Sequence, residues 1–495
     1  MKLTAAAENS RTLAAALGID EEHAARLLDI DVAITIEDGN VVARQLATDL
    51  SQLLRRTVRS VTLTSQQTLE PAVEVVVGGA SPLTRAPSVW VDLTASRLTI
   101  SKKHVWHRTR EDIHPSFILL SACYTAGAAL GTAIGNEFPF PCSDPLVVDF
   151  SDLFGPDLSW LSDPIELGEC YLAGAGAIGN AFLWALRRVQ VHGILHITDP
   201  DTISDDNLNR CVWFTDADVG AYKADRLATL AQPYFPSLRL VPHAVALQNV
   251  PAAKQGGAWL KRLIVGVDSR RARRNLQLEI PGEVFDASTT GIAEIVLHHH
   301  RAPTNTACLS CIYVQDEGER SHERHVADAL GVSLDDVKLL HVSPQAAKKI
   351  ALRYPHLHSR HLIGLAYDSL FKQLCGQGAL QSTADRQVLA PFGFVSVLAG
   401  TYLALECTYR LHHRHDELRF NYWRASPWCA PMLQLRAQRP KHERCEFCQQ
   451  DLLQQVTRQL WQTAVEGEHV SALVTRPLLA MSESQEGQGG YKHTA

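Results

Sequence analysis

Hydrophobic and polar positions at the start of the chain follow two periods, one typical of helices and one typical of strands. Residues 1–30 favour short helices, residues 31–38 (DVAITIED) favour a strand, and residues 41–58 (VVARQLATDLSQLLRRTV) favour an amphipathic helix. The runs VTLTS, AVEVVVGG and SVWVDLTASRLTI then have the apolar, β-branched character of strands. The pattern predicts an α/β region whose turns lack a phosphate-binding glycine spacing.

A second α/β pattern follows in the middle of the chain. The apolar run 170–172 predicts a strand, residues 180–189 (NAFLWALRRV) favour a helix, and residues 194–197 (ILHI) predict another strand. Strand, turn, helix and strand in this order form the unit that places a nucleotide phosphate at a helix N-terminus. We therefore expect the chemistry of the protein to be concentrated here.

The turn of this unit, GAGAIG, has glycines in G-x-G-x-x-G spacing: Gly174, Gly176 and Gly179. One glycine permits the tight turn, one lets the backbone approach the phosphates, and one lets the helix and the strand pack closely. The turn alone fits an enzyme that uses NAD or FAD as well as one that uses ATP.

Polar residues after the second strand favour a triphosphate over a dinucleotide. Asp199 closes that strand, at the point where a carboxylate reaches ribose hydroxyls in this fold. Asn207, Arg210 and Lys223 follow, and arginine and lysine donate charge-assisted hydrogen bonds to phosphate oxygens. Asp268 ends the apolar strand LIVGV, where carboxylate oxygens suit Mg²⁺.

Together these motifs resemble the ThiF/MoeB/ubiquitin-activating superfamily, which adenylates the C-terminal glycine of ubiquitin-like proteins. The match lies in GAGAIG, in DPDTISDDNLNR, in the lysine thirteen residues after that arginine, and in VDSRRAR. The resemblance implies a Rossmann-like ATP-binding adenylation domain with a mixed sheet. It also implies residue roles: ribose-binding Asp199, the polyphosphate ligands Asn207, Arg210 and Lys223, and magnesium-binding Asp268. Cys211 departs from the family, which usually has Gln there, but the phosphate ligands precede it.

Two C-x-x-C pairs suggest a structural zinc site. Cys308 and Cys311 form the first pair, and Cys445 and Cys448 form the second. A single pair is compatible with redox chemistry, whereas two pairs supply the four thiolates of a tetrahedral zinc site. The resembling family places its zinc in the same two places. The neighbouring histidines 298–300 are interpreted as a solvated or strand-edge run, not as ligands.

Composition and charge narrow the class of protein. The 495 residues are 46% hydrophobic and 20% charged, which is typical of a globular chain of two to three domains. A net charge of −6 argues against a nucleic-acid-binding protein. The odd count of 11 cysteines, in a chain whose start does not read as a signal peptide, predicts a reducing cytoplasm.

One segment, 115–135 (PSFILLSACYTAGAALGTAIG), is uncharged and just long enough to span a bilayer. It is rich in small residues and has no Trp or Lys/Arg belt at its C-terminal edge. Gly127, Gly131 and Gly135 lie four residues apart, so they form a stripe that permits close helix approach. We interpret the segment as a buried helix at a tight packing surface and expect no membrane partner.

Ubiquitin-activating enzymes pair an inactive adenylation half with an active one, and the chain is divided on that basis. The alternative for the first part is an unrelated α/β domain. The predicted parts are an inactive, degenerate adenylation-like half (1–150), a linker (151–166), an active adenylation domain (167–450) with a crossover insertion (312–385), a C-terminal helix (451–480) and a disordered tail (481–495).

Cys375 is the candidate nucleophile for a thioester step. It precedes Gly376 in the crossover insertion, where activating enzymes of the resembling family often keep their acyl-accepting cysteine, and Lys372 is close enough in sequence to depress its pKa. The alternative is an ordinary half-buried cysteine at a helix end. Six other cysteines fall in apolar patterns, in proline-rich surroundings or at a fixed position: Cys123, Cys142, Cys170, Cys211, Cys407 and Cys429.

Three functions remain open at this level. The first is a ubiquitin-like modifier-activating enzyme that uses ATP, Mg²⁺ and Zn²⁺ and passes its acyl group to a conjugating enzyme. It resembles the activating enzymes of bacterial ubiquitin-like conjugation operons, some of which act in antiphage defence. The second is a MoeB/ThiF-type adenylyltransferase for sulfur-carrier proteins. The third is a nucleotide-binding regulatory or scaffold protein.

Two features of assembly are also left open by the sequence. The active domain is expected to work as a homodimer or as a pseudo-dimer with its own N-terminal half. An arginine that reaches the ATP site from that half or from a second subunit is expected, but the sequence does not rank Arg44, Arg55 and Arg56.

Overall fold

The fold contains two β-sheets joined by one continuous apolar core, with a separate small helical unit. The structure is a computed structural model. It describes residues 3–63, 70–104, 112–141, 143–339, 341–376, 390–413, 420–431 and 435–462.

The N-terminal half is built on a six-stranded sheet of order β2-β1-β3-β4-β5-β6. The first four strands run parallel, and β5 and β6 are antiparallel to their neighbours. The elements of this half are α1 (Leu3–Leu17), α2 (Glu21–Leu28), β1 (Asp31–Ile36), α3 (Val41–Leu54), β2 (Ser60–Leu63), β3 (Val73–Val77), β4 (Ser88–Leu93), β5 (Arg97–Ser101), α4 (Pro115–Ile134), β6 (Leu146–Asp149) and α5 (Phe150–Phe154).

The C-terminal half is built on an eight-stranded sheet of order β14-β13-β12-β11-β10-β7-β8-β9. Five neighbouring strands run parallel: β11, β10, β7, β8 and β9. The other three, β12, β13 and β14, pair antiparallel with their neighbours. Its elements are β7 (Ile165–Ala173), α6 (Ala177–Leu186), β8 (Val191–Thr198), α7 (Lys223–Ala231), β9 (Leu238–His243), β10 (Arg262–Val265), α8 (Arg270–Leu278), β11 (Glu283–Thr290), β12 (Glu294–Arg301), α9 (Leu309–Ile312), α15 (Gly393–His412), β13 (Tyr422–Ala425), β14 (Arg436–Ala437) and α16 (Asp451–Gln462).

The two sheets share a topology. The order β2-β1-β3-β4-β5-β6 corresponds strand by strand to β8-β7-β10-β11-β12-β13, with the same strand directions. Helix α3 follows β1 as α6 follows β7, and a 20-residue apolar helix precedes the last matched strand in each half, α4 in one and α15 in the other. The two halves therefore share one α/β topology, strand by strand.

The two sheets differ at the turn where the C-terminal half has its G-x-G-x-x-G glycines. Between β1 and α3 the chain reads Glu37-Asp38-Gly39-Asn40, and the Asn40 side chain caps α3 by accepting from Ala43 N. The Glu37 carboxylate lies beside Gly79, only 3.2 Å from where a Cβ would stand. The turn of the N-terminal half is therefore acidic, whereas the matched turn of the C-terminal half is built from glycine and alanine.

Close helix contacts join the two halves. Gly400 of α15 lies so near α6 that a Cβ would stand 2.5 Å from the Ala181 Cβ. Helix α4 also packs against α15, and the hydroxyls of Tyr124 and Tyr402 lie 2.8 Å apart. The halves therefore share one apolar core.

Among the described residues, one helix, Pro115–Glu137, is long and apolar enough to cross a membrane by length and composition. Most of its apolar window, 83%, is buried inside the protein, in agreement with a core helix. A Cβ on Gly127 would stand 2.7 Å from Pro427 O, so the predicted close approach occurs, but against a loop and not against a helix.

The crossover insertion forms a helical unit with its own core. That core contains Val326, Leu330, Val337, Ile350, Leu362, Tyr367 and Leu374. The elements of the helical unit are α10 (Glu317–Leu330), α11 (Leu334–Lys338), α12 (Pro344–Arg353), α13 (Ser359–Leu362) and α14 (Tyr367–Gly376).

Arginines of α8 join the helical unit to the sheet. Arg271 is buried and lies 3.2 Å from both Glu323 of α10 and Asp368 of α14. Arg274 pairs with Glu319 at 2.7 Å. Because α8 directly follows β10, the helical unit is held beside the carboxyl edge of the central strands.

The segment predicted as a linker, 151–166, contains most of α5 and the first residues of β7. Asp149, just before this segment, caps the start of α5, and Gly155 within it ends that helix at φ +91°. The predicted C-terminal helix is helical over Asp451–Gln462, and the rest of it and the predicted tail (481–495) lie outside the described residues.

Candidate nucleotide and metal sites

The glycine turn between β7 and α6 is packed too tightly for side chains at two of its three glycines. Gly174 has φ +95°, and a Cβ there would stand 2.9 Å from the backbone of Gly266. At Gly179 a Cβ would stand 2.0 Å from Gly174 O. Gly176 is the N-cap of α6 and faces open space. The turn therefore leaves room at the helix N-terminus, where a phosphate is attracted.

Asp199 stands directly after β8, beside this turn. Its carboxylate accepts the backbone N–H groups of Ala175 at 2.7 Å and Asp201 at 2.9 Å, and its side chain is buried. Burial raises the pKa of Asp199 to about 6, and the nearby Lys223 opposes that rise. Asp199 thus fixes the glycine turn and offers an anionic acceptor near neutral pH.

Lys223 begins α7, and its Nζ lies 3.0 Å from Asp201. Burial alone would lower the pKa of Lys223, but Asp201 and Asp199 outweigh it and raise that pKa above its ordinary value. The lysine therefore stays positively charged. Sequence reasoning missed Asp201, although the D-x-D spacing after β8 is the signal that marks it.

The loop between β8 and α7 carries Asn207 and Arg210. The Asn207 side-chain oxygen accepts from Ser204 N at 3.3 Å in a capping box, so Asn207 shapes the loop. Arg210 donates to Asp206 O at 2.6 Å and to the Asn209 side chain at 2.8 Å. Both predicted phosphate ligands thus lie in one hydrogen-bonded loop.

Asp268 is exposed and follows β10, next to the segment Gly266–Val267 that contacts the glycine turn. Since β10, β7 and β8 are parallel neighbours, Asp268, the turn and Asp199 all stand at the carboxyl edge of the sheet. The next residue, Ser269, caps α8 through Ala272 N. The two acids proposed from the sequence therefore lie at the same edge of the sheet as the glycine turn.

The four cysteines of the two C-x-x-C pairs converge into one cluster. Cys308 Sγ lies 3.7 Å from Cys311 Sγ, 3.7 Å from Cys445 Sγ and 3.6 Å from Cys448 Sγ. Sulfurs around a tetrahedral zinc ion, at about 2.3 Å from the metal, would be about 3.8 Å apart. Backbone N–H groups of His442 and Cys448 point at two of the sulfurs. The donor set therefore fits a tetrahedral metal ion.

The interpretation of residues 298–300 as solvated is wrong. His298, His299 and His300 are at most 3% exposed, because helices α15 and α9 pack against β12. His299 lies 3.2 Å from Glu283, and burial lowers the pKa of all three imidazoles. Among the described residues, the one group placed to hold a metal contains four cysteines and no histidine.

The remaining described cysteines fit structural roles. Burial raises the pKa of Cys170 to about 12 and raises the pKa values of Cys123, Cys211 and Cys407. The backbone of Cys375 lies in the last turn of α14, whereas its side chain and that of Lys372 lie outside the described residues, as does Cys142. The choice of Cys375 as nucleophile stays a prediction.

Family profiles match both halves of the chain. The E1 N-terminal domain profile covers residues 2–155, and the ThiF family profile covers residues 162–447. The chain belongs to the ThiF family. The resemblance and the predicted Rossmann-like α/β fold are thereby confirmed for this ThiF-family protein.

Curated relatives align with parts of the ThiF-family chain. An uncharacterised protein of Sinorhizobium fredii is 30% identical over 258 residues, 49% of this chain and 49% of that protein. The NEDD8-activating enzyme E1 catalytic subunit of Saccharomyces cerevisiae is 32% identical over 147 residues, 28% of this chain and 48% of that protein. The chain thus spans about half the length of the curated relatives it matches.

Two solved structures match the ThiF-family chain at low sequence identity. Escherichia coli MccB with ATP covers 73% of this chain and 97% of its own at 14% identity, with a TM-score of 0.34. Escherichia coli tRNA N6-threonylcarbamoyladenosine dehydratase TcdA covers 53% of this chain and 92% of its own at 16% identity, with a TM-score of 0.29. Similarities at this level carry no argument about the site.

Proposed function

We propose that this ThiF-family chain adenylates the C-terminal glycine of a ubiquitin-like protein and then forms a thioester with it. The observation that carries the adenylation step is the charge arrangement at the carboxyl edge of the second sheet. There a glycine turn at a helix N-terminus lies beside the buried acid Asp199 and the ion pair of Lys223 with Asp201. The match of residues 2–155 to the E1 N-terminal domain favours a ubiquitin-like substrate.

In the proposed reaction, a carboxylate oxygen of the substrate attacks the α-phosphorus of ATP in line. The new bond is the P–O bond of an acyl-adenylate, and the bond to the β-phosphate breaks, so pyrophosphate leaves with its electron pair. The carboxylate is ionised at neutral pH and needs no general base. Catalysis then rests on positioning and on charge neutralisation.

Each predicted ligand has a place in this reaction. Asp199 accepts hydrogen bonds from the ribose hydroxyls. Lys223 and Arg210 neutralise the charge of the β- and γ-phosphates, and Asn207 holds the shape of the loop that carries Arg210. Asp268 supplies a carboxylate oxygen for Mg²⁺, an ion that offsets phosphate charge when bound. The four-cysteine cluster holds Zn²⁺ as a structural ion.

The thioester step uses Cys375. Its thiolate attacks the acyl carbon, the bond to AMP breaks, and the thioester then passes to the thiol of a conjugating enzyme. The position of the helical unit supports this step. Arg271 of α8 forms ion pairs with two acids of that unit, and α8 follows β10 at the carboxyl edge of the second sheet. A bacterial ubiquitin-like conjugation system for antiphage defence, in the cytoplasm, is the setting that this function suits.

The thioester step is tested with ATP, Mg²⁺ and the ubiquitin-like protein of the neighbouring gene. Wild type is expected to form an adduct visible in a non-reducing gel and lost on reduction, whereas Cys375→Ala forms none. Cys429→Ala, outside the insertion and half-buried, is the matched control and keeps the adduct. Adenylation without an adduct in wild type would instead indicate a MoeB/ThiF-type adenylyltransferase.

A pH dependence is expected from Asp199. Its pKa of about 6 means that the carboxylate gains a proton as the pH falls through that value. Protonation weakens the hydrogen bonds from Ala175 and Asp201 and removes an acceptor for the ribose, so the Kd for ATP should rise below pH 6. Calorimetric titrations of MgATP from pH 5 to pH 8 check this, and a flat profile would contradict it. Asp199→Asn is expected to bind weakly at every pH.

A further inference from the structure

Arg56 of the N-terminal half reaches into the phosphate-binding loop of the other half. It lies just after α3, and its guanidinium donates to the carbonyl oxygens of Leu208, of Val212 at 2.9 Å and of Phe214 at 3.3 Å. These carbonyls follow Asn207 and flank Arg210 in sequence. Three carbonyl dipoles of one loop thus converge on one cation that the N-terminal half supplies.

A second contact continues from Arg56 to the proposed phosphate ligand. Asn9 of α1 donates to Arg56 O at 2.7 Å, and its side-chain oxygen accepts from Asn209 Nδ2 at 2.9 Å. The Asn209 side-chain oxygen in turn accepts from Arg210 at 2.8 Å. Asn9 and Asn209 are both 0% exposed. A buried chain of hydrogen bonds therefore links the N-terminal half to the guanidinium of Arg210.

The first residue of α15, Gly393, packs against Asn209 and Arg56. A Cβ on Gly393 would stand 2.7 Å from Asn209 O and 3.6 Å from the Arg56 side chain. Thr12 of α1 donates to Ala390 O at 2.7 Å. The N-terminal half thus holds both the phosphate-binding loop and the segment that returns from the crossover insertion.

We propose that Arg56 and Asn9 are positioning residues: the inactive half sets the geometry of the loop that binds the β- and γ-phosphates. This inference rests on the proposed function. Arg56 acts through the loop and not as a phosphate ligand, because its donors are directed at carbonyl oxygens. Arg44 is exposed, and Arg55 is exposed and donates to Val61 O within its own half, so neither arginine has this role.

The planar guanidinium is needed for this role. Its fixed fork of N–H donors serves several acceptors at once, whereas an ammonium is a compact point charge. Without a cation the three carbonyl groups would face one another in a partly buried space, and the loop would relax. Arg210 would then lose its support on Asn209, so the effect is expected on the phosphates that Arg210 reaches. AMP, held by Asp199 and the glycine turn, should be unaffected.

The test is calorimetric titration of the full chain with MgATP and, separately, with AMP. Arg56→Ala is expected to weaken MgATP binding about tenfold, the equivalent of one charged hydrogen bond, and to leave AMP binding unchanged. Arg56→Lys should recover only part of the loss. Asn9→Ala removes no charge and should also weaken MgATP binding. Arg55→Ala, the neighbouring exposed arginine, is the matched control and should match wild type for both nucleotides.

The ratio of the two affinities separates positioning from general damage. Equal weakening of MgATP and AMP in Arg56→Ala, or wild-type binding of both, overturns the inference. If circular dichroism shows that Arg56→Ala is unfolded, the ratio of MgATP to AMP affinity is measured in Asn9→Ala and Arg56→Lys instead. Wild type that binds neither nucleotide overturns the proposed function itself, and the inference with it. The inference is supported if wild type binds both nucleotides and Arg56→Ala binds MgATP more weakly but AMP as wild type does.

Discussion

Lys223→Met is expected to lower ATP–pyrophosphate exchange by about 100- to 1,000-fold, the range found when one donor to a developing oxyanion is removed. The lysine is partly buried beside Asp201 and Asp199, and both carboxylates raise its pKa, so it stays charged. Removing it deletes a cation from the phosphate site and leaves two acids without their counter-charge. The triphosphate then meets net repulsion. The measurement is exchange of labelled pyrophosphate into ATP in the presence of the ubiquitin-like protein.

Lys254→Met is the matched control for this prediction. Lys254 is exposed in the turn after β9, remote in sequence from the glycine turn, and its loss should leave exchange within twofold of wild type. Exchange by Lys223→Met at a level close to wild type would remove Lys223 from the proposed catalytic set. Circular dichroism of each variant shows whether the fold is retained.

The placement of several candidate site residues in the fold follows from local physics that is visible in the sequence. Gly174 needs φ +95° and close backbone contact, so the glycine spacing alone reveals the turn. Asp199 and Asp268 each follow an apolar strand, and parallel neighbouring strands bring their ends to one edge. The two C-x-x-C pairs carry their own geometric constraint. In each case the signal lies within a few residues.

The missed features depend on contacts between distant parts of the chain. Arg56 and the loop at Leu208 are 152 residues apart, and no pattern near Arg56 separates it from Arg55. The burial of His299 follows from the packing of α15 against β12, which a run of three histidines does not reveal. The strand-by-strand match of the two sheets is likewise visible only once pairing is known.

Loss of the cysteine cluster should have the largest effect on stability. Cys308 lies within 3.7 Å of each of the other three sulfurs, so Cys308→Ser is expected to abolish tetrahedral zinc binding. The cluster joins α9 to the segment before α16, and Trp461 of α16 donates to Ile280 O at 3.0 Å. Structural zinc contributes about 10 kcal/mol or more in small zinc domains. We therefore expect α16 to detach and the unfolding temperature to fall by 10 °C or more, since about 1 kcal/mol corresponds to about 2–4 °C in domains of about 150–250 residues.

The measurement pairs metal analysis with thermal unfolding. Wild type purified without chelator should contain about one zinc ion per chain, as four thiolates complete one tetrahedral site. Cys429→Ser, a half-buried cysteine outside the cluster, should keep both the zinc and the unfolding temperature. A zinc-free wild type, or a Cys308→Ser protein that unfolds at the wild-type temperature, would show that the four cysteines have no structural metal. Prolonged chelation of wild type should reproduce the effect of Cys308→Ser, because both remove the same constraint between α9 and α16.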